Sequence, residues 1–231
     1  KKKAVRATTK KTTSSKPISV AQLRKELQQR EAELAIIKSV QDGLASKMEM
    51  QAIYELVGGK IRDLFKSQTT IIATFNRKAE TQSFNYYVDR QGREQVDDRP
   101  MSGLVKALIR EKKTFLFNEN VEDRMREFNA ALVLGPLVPK SALYVPLMTG
   151  GEVRGVISLQ NMDREHAFNK SDVRLLETLA GSLSAALENA RLFNQTQRLL
   201  NEAEQRNAEL GVINSLQQVL VSKLDFQSII D

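Results

Sequence analysis

Residues 141–161 read SALYVPLMTGGEVRGVISLQN. Two runs with strand character, SALYVPLM and EVRGVISLQN, flank the three residues TGG. Gly150 and Gly151 can take the positive φ that a tight hairpin turn requires. The stretch therefore predicts two antiparallel strands. Upstream, TTIIATFN (69–76) and SFNYYV (83–88) are rich in β-branched and aromatic residues. The polar RKAETQ between them suits a second hairpin loop. TFLF (114–117) adds a brief strand. Strand pairs joined by tight loops, in place of helical crossovers, argue for an α+β fold with a central antiparallel sheet flanked by helices.

Helices are expected between and around these pairs. DRQGREQVDDRP reads as a polar loop, and MSGLVKALIREKK as a short helix with Leu104, Leu108 and Ile109 on one face. Over 118–140 the pattern is less regular: VEDRMREFNAALVL reads as a helix and GPLVP as a turn. After the 141–161 hairpin a helix start is legible. Asn169 suits the N-cap, Asp172 completes a capping box, and Phe168 can staple onto Val173. From there Leu176, Leu179, Leu183, Ala186, Ala190 and Phe193 keep a heptad. The seam resumes one residue out of step at Leu199, Ala203, Arg206, Leu210 and Ile213, a slip that locally changes a supercoil. Near the start, Val20, Leu23, Leu27, Leu34, Ile37 and Leu44 form a comparable seam, interrupted by Arg30 and Gln41. Gly43 and SKMEM suggest a break before a second helix to about Phe65.

The two terminal seams are related. Residues 206–231, RNAELGVINSLQQVLVSKLDFQSIID, match 30–55 without a gap, with twelve of twenty-six pairs identical. The offset of 176 residues far exceeds the 20–50 of stacked repeats. It is the length of a domain plus its linker. The expected organisation is a basic disordered tail (1–17), a linker helix (18–33), one complete domain (34–193), a second linker helix (194–208) and the start of a second such domain (209–231).

The charge belongs mainly to the tail. Residues 1–16 carry seven of the 35 basic residues and no acid, and the other 28 basic residues balance 28 acidic ones. The body is neutral, which argues against a nucleic-acid-binding domain. For the tail, a solvated linker is the main reading, with nucleic acid or an anionic membrane as the alternative. No apolar run approaches the roughly 18 residues of a membrane span, and a cytoplasmic location is expected. With no cysteine there is no disulfide, thiolate ligand or cysteine nucleophile. The one histidine, His166, lies in the polar MDREHAF and reads as a surface residue. It has no second histidine for a metal site. TGGE lacks the spacing and the Lys of a phosphate loop. Ser141 has neither a histidine base nor an elbow motif, and Asp97–Asp98 reads as solvated. No enzyme, metal or cofactor is expected.

Residues 141–193 closely resemble the GAF family of sensory domains. The likeness is carried by Ser141, Leu143, Pro146 and Leu147 on one strand, and by Gly155 and Val156 on the next. A Phe, an Asp and the closing run Ala186 to Leu192 follow. PMSGLVKALIREKKTFLFNEN is similar to the family's middle helix and strand, so the resemblance covers about 34–193. It implies a bacterial signalling protein in which several such modules precede an output domain, such as a histidine kinase or a cyclase. It also implies a parallel homodimer along the terminal helices, with Leu23, Leu27, Arg30, Leu34, Ile37, Ala186, Ala190, Phe193, Leu199 and Arg206 in the seam. The family's pocket lies on the sheet face away from those helices, under the irregular segment. Phe75, Tyr86, Phe117, Phe128 and Tyr144 are the residues expected to line it. The cyclic-nucleotide-binding members carry a dispersed Asn-Lys-Phe-Asp-Glu set. Asn161, Phe168 and Asp172 match it, but Met162 and Val173 replace the Lys and the Glu, which argues against a cyclic nucleotide. Bilin attachment and methionine-sulfoxide reduction need cysteines that this chain lacks. Two readings stay open: a sensor of an unknown small molecule, and a ligand-free dimerising relay.

Overall fold

The computed structural model describes residues 50–130 and 138–227, with side chains through residue 217, and the helical positions Val20, Arg24, Leu27, Arg30, Glu31, Leu34, Ala35 and Lys38. The expected hairpin is present: β5 (Ser141–Thr149) pairs antiparallel with β6 (Glu152–Asn161). Gly150 and Gly151 have φ of 58° and 77°. Two successive positive φ values match the right-handed twist of the flanking strands. The second hairpin joins β1 (Thr69–Asn76) to β2 (Thr81–Val88). β1 also pairs with β6, so the two hairpins merge into one sheet of order β3-β2-β1-β6-β5-β4. The edges are β3 (Arg99–Pro100) and β4 (Phe115–Phe117). β3 lies inside the segment read as a polar loop. With two exposed residues it has no alternating pattern to betray it, and only its pairing with β2 defines it.

The helices are α1 (Met50–Phe65), α2 (Gly103–Glu111), α3 (Val121–Glu127) and α4 (Lys170–Gln227). α3 stops short of the length expected. Asn129 takes a φ of 47°, and the Ala130 N–H turns back to the Met125 carbonyl. The rest of that predicted helix, most of the GPLVP turn, and the calls on 1–17, Leu23, Ile37 and Gly43 lie outside the described residues.

Alternation along the strands divides the core in two. On the near face Ile72, Leu143, Val145, Leu147, Ile157 and Leu159 pack against α1 and the first half of α4. On the far face Ile71, Ala73, Ala142, Tyr144 and Val156 pack against α2, α3 and β4. The start of α4 is capped as its sequence predicts. Asn169 Oδ1 accepts from the Ser171 and Asp172 N–H groups, and Asp172 Oδ2 accepts from Asn169 N–H at 2.8 Å. The helix then runs 58 residues, about 87 Å at the usual rise. Leu176, Leu179 and Leu183 are fully buried in the near-face core. Beyond Ala190 the helix leaves the sheet, and Leu192, Phe193, Leu199, Leu200, Leu210, Val212, Ile213 and Leu216 are exposed. Among the described residues no helix is long and apolar enough to cross a membrane.

Candidate functional site: a cavity beneath the far face

A cavity of about 70 Å³ lies between the far face of the sheet and helices α2 and α3. Ile71, Ala73 and Val156 form its apolar floor, and Leu104, Val105, Leu108 and Met125 its roof. Polar groups come from β2, β5 and β6: Gln82, Tyr144, Ser158 and Gln160, with Ser102 from the start of α2. Sheet register brings three of them together, because Tyr144 stands opposite Ser158, and Gln160 follows two residues on along the same face. The cavity is roofed by α2, whose own start is well defined. The Ser102 hydroxyl accepts from Val105 N–H, and the backbone packs so closely that a Cβ on Gly103 would meet the Phe128 carbonyl oxygen at 1.6 Å.

The polar groups are incompletely satisfied. The Tyr144 hydroxyl is enclosed and has no hydrogen-bond partner. Burial pushes its pKa above the usual tyrosine range. Ser158 and Gln160 pull it partly back, yet neither completes a bond to the phenol. Gln160 Nε2 reaches Ser158 Oγ only at 3.5 Å, and Gln82 Nε2 donates to the Pro100 carbonyl at 3.3 Å. Among the described residues, no Asp, Glu, Lys, Arg or His lines the cavity.

Of the five residues expected here, only Tyr144 reaches the cavity. Phe117 and Phe128 share the far face: Phe128 meets Phe115 edge to face, and Phe117 lies tilted against Phe128 and Tyr144, filling the space beside it. Phe75 is also in the far-face core but does not line the cavity. Tyr86 is on the opposite face, and its assignment to the pocket is corrected. It pairs with Ile72, and its ring packs so closely on α1 that a Cβ at Gly58 would approach it to 2.6 Å. Tyr87 takes the far-face place instead. The sequence reading missed Gln82, Ser158 and Gln160. A signal existed in GVISLQN: Val156, Ser158 and Gln160 alternate with Ile157 and Leu159, so one buried face of that strand carries polar residues.

A second, more open groove of about 630 Å³ lies at the near-face end, where α1 begins and α4 departs. It is lined by residues such as Tyr54, Asn85, Arg154 and Arg191, and by Ser184, whose buried hydroxyl is also unpartnered. Ala186 and Ala190, expected in the dimer seam, are 1% and 8% exposed and belong to this module's own core. Phe193, Leu199 and Arg206 are exposed on α4, as are Leu27, Arg30 and Leu34 near the start.

The residues of the family-like motif have local jobs. Ser141 Oγ donates to the Arg164 carbonyl at 2.8 Å and accepts from Ala167 N–H at 3.1 Å, tying β5 to the approach of α4. Asn161 Oδ1 accepts from the Asp163 and Arg164 N–H groups. Phe168 is buried in the near-face core. Together with the Asp172 cap, this gives all three residues shared with the cyclic-nucleotide set a structural role. His166 is exposed, 3.4 Å from Glu119, and no cluster of metal-ligating side chains occurs among the described residues.

The sequence model of the GAF domain family matches residues 47–188. The chain belongs to the GAF domain family. A six-stranded antiparallel sheet between two helical layers is its fold. Among curated relatives, the formate hydrogenlyase transcriptional activator of Escherichia coli is 23% identical over 181 residues, which cover 76% of this chain. The aligned part is only 26% of that activator's length, so the chain spans about a quarter of the curated relatives it matches. Among solved structures, the free methionine-R-sulfoxide reductase of Neisseria meningitidis superposes with a TM-score of 0.59 at 18% identity, covering 71% of this chain and 90% of that one. The GAF domain of a phosphoenolpyruvate-protein phosphotransferase from Coxiella burnetii does so at 0.56 and 14%, covering 71% and 98%.

Proposed function

We propose that this GAF domain is a non-catalytic sensory module of a multidomain signalling protein. It holds a small molecule in the far-face cavity and passes the resulting change along α4 to neighbouring domains, with two copies paired in parallel. The observation that carries this is α4 itself. One unbroken helix belongs to the domain core from Leu175 to Ala190 and then presents exposed leucines and isoleucine for a further 26 residues. An apolar stripe of that length in water favours a partner helix, and a second copy supplies the same stripe in register. The copy of 30–55 within 206–231 supports a string of such modules, with Arg30 and Arg206 at equivalent places in successive linkers.

The absence of native cysteine makes the test clean. A Gln205→Cys variant carrying a nitroxide spin label reports the distance between the two α4 helices. Parallel pairing gives one short distance, and light scattering gives a dimer mass. A monomer at high micromolar concentration, with no inter-chain distance, removes the paired relay. A dimer whose spacing ignores every molecule bound in the cavity leaves a ligand-free relay as the better reading.

A further inference from the structure

We propose that the far-face cavity takes a small uncharged molecule bearing both a hydrogen-bond donor and an acceptor, of the size and kind of a simple amide. This rests on the sensory reading above and names the chemistry that reading leaves open. Three observations carry it.

The first is charge. Among the described residues the polar lining is neutral: two glutamines, two serines and a tyrosine. An anion or cation enclosed there meets no counter-charge, and burying an unpaired charge costs far more than burying a neutral polar group.

The second is hydrogen-bonding capacity. The Tyr144 hydroxyl is a buried donor without an acceptor. The two glutamines line the same space, with Nε2 of Gln82 given to the Pro100 carbonyl and Nε2 of Gln160 only 3.5 Å from Ser158 Oγ. The cavity thus sets one unused donor beside two glutamine side-chain amides, whose carbonyl oxygens are acceptors by nature. A molecule that accepts from Tyr144 and donates to Gln82 or Gln160 satisfies both. The elevated pKa of the phenol keeps it a neutral donor across the ordinary pH range.

The third is size. A single water needs roughly 10–15 Å³ of such space, and a site of about 150 Å³ holds a benzene ring. As bounded by the described residues, the cavity of about 70 Å³ has room for several heavy atoms, the scale of a simple amide.

An isosteric pair tests the proposal on the full chain: propionamide against propionate, followed by NMR at the Tyr144 ring and at the Gln82 and Gln160 side-chain amides. Propionamide at millimolar concentration is expected to shift these signals saturably. Tyr144→Phe should weaken its binding about five- to tenfold, with Ser158→Ala as a second variant should Tyr144→Phe disturb the fold. Propionate at equal concentration should leave the signals in place. If propionate binds as well as propionamide, the neutral-ligand proposal falls while the sensory reading of the cavity stands. If neither shifts the signals, and a crystal soaked in propionamide shows only ordered water beside Tyr144, both fall.

Discussion

The two faces of the sheet use the same strands differently. On the near face every central position is filled: Val57, Ile72, Leu143, Ile157, Leu159, Leu176, Leu179 and Leu183 have no exposed surface. One residue along each strand, the far face replaces this with Ser158, Gln160, Gln82 and a phenol lacking a partner, and leaves a cavity. A close-packed layer transmits displacement and resists it. A layer with a void and unspent hydrogen bonds can gain from a guest. The near face therefore fixes where α1 and α4 leave the domain, and the far face is where the proposed ligand would find a hydrogen bond to complete.

The sharpest way to break this comparison is to truncate neighbouring residues of β6. Ile157→Ala on the near face should cost about 3–4 kcal/mol in urea unfolding, since a fully buried aliphatic is lost from a core with little room to collapse. Ser158→Ala, one residue on, should change stability by less than about 1 kcal/mol, because its hydroxyl makes only the long contact to Gln160. Equal losses at both positions would show that the far face is packed as tightly as the near one.

A smaller effect is expected at Gly58, where α1 meets the sheet. A Cβ there lies 2.6 Å from the Tyr86 ring. Gly58→Ala gains helix propensity of about 1 kcal/mol, but overpacking costs about 1–3 kcal/mol. A net loss of about 1–2 kcal/mol should appear as a lowered midpoint. In a Tyr86→Leu background the same substitution should cost less, and this non-additivity locates the strain. Additive losses would mean the ring moves aside freely and that the near face has slack after all.

The sequence revealed the near face far better than the far one. Heptad leucines, a capping box at Asn169 and a glycine pair in the turn are local patterns whose physical meaning does not depend on the rest of the chain. They placed α4, β5 and β6 correctly. Large aromatics drew the site assignment to Phe75, Phe117 and Phe128, but aromatics fill space, and here they fill the space beside the cavity. Tyr86 was assigned to the wrong face because a register shift between Ile72 and Ala73 interrupts the simple alternation of the β1–β2 hairpin. No local pattern announces that shift. Ala186 and Ala190 keep the heptad of the exposed stripe, and only the position of the sheet shows that they lie on the core side of the point where α4 departs.

The near face also has a polar staple at its edge, and its pH dependence is modest. Arg93 donates to Glu55 through Nε and Nη2, and also to the Asn85 and Tyr87 carbonyls, tying α1 to the end of β2. The side-chain hydrogen bond from Arg93 lowers the Glu55 pKa below its ordinary 4.5, against a smaller desolvation effect. A depressed folded-state pKa stabilises the fold above the unfolded value and loses that contribution as pH falls through the folded value. The window is therefore below about pH 4.5. With the side chains 36% and 44% exposed, solvent screens the pair to less than about 1 kcal/mol. Between pH 5 and pH 3 the wild-type protein should lose slightly more stability than Arg93→Gln. Parallel melting curves for the two would show that the staple carries no folding energy.

The smallest expected effect is also the one that bears most directly on the far face. Removing a buried hydroxyl that has a partner costs about 1 kcal/mol. Removing one without a partner releases a group that folding has stripped of water for no return. Tyr144→Phe should therefore leave the unfolding midpoint unchanged or raise it slightly, whereas Tyr87→Phe, whose hydroxyl donates to Asp89 at 3.3 Å, should lower it. The contrast holds only while the cavity is empty of partners for the phenol. If Tyr144→Phe destabilises the purified protein by more than about 1 kcal/mol, something already accepts that hydrogen bond. Mass spectrometry under native conditions then separates a retained small molecule, which adds mass, from a buried water held by Ser158 and Gln160, which does not survive desolvation.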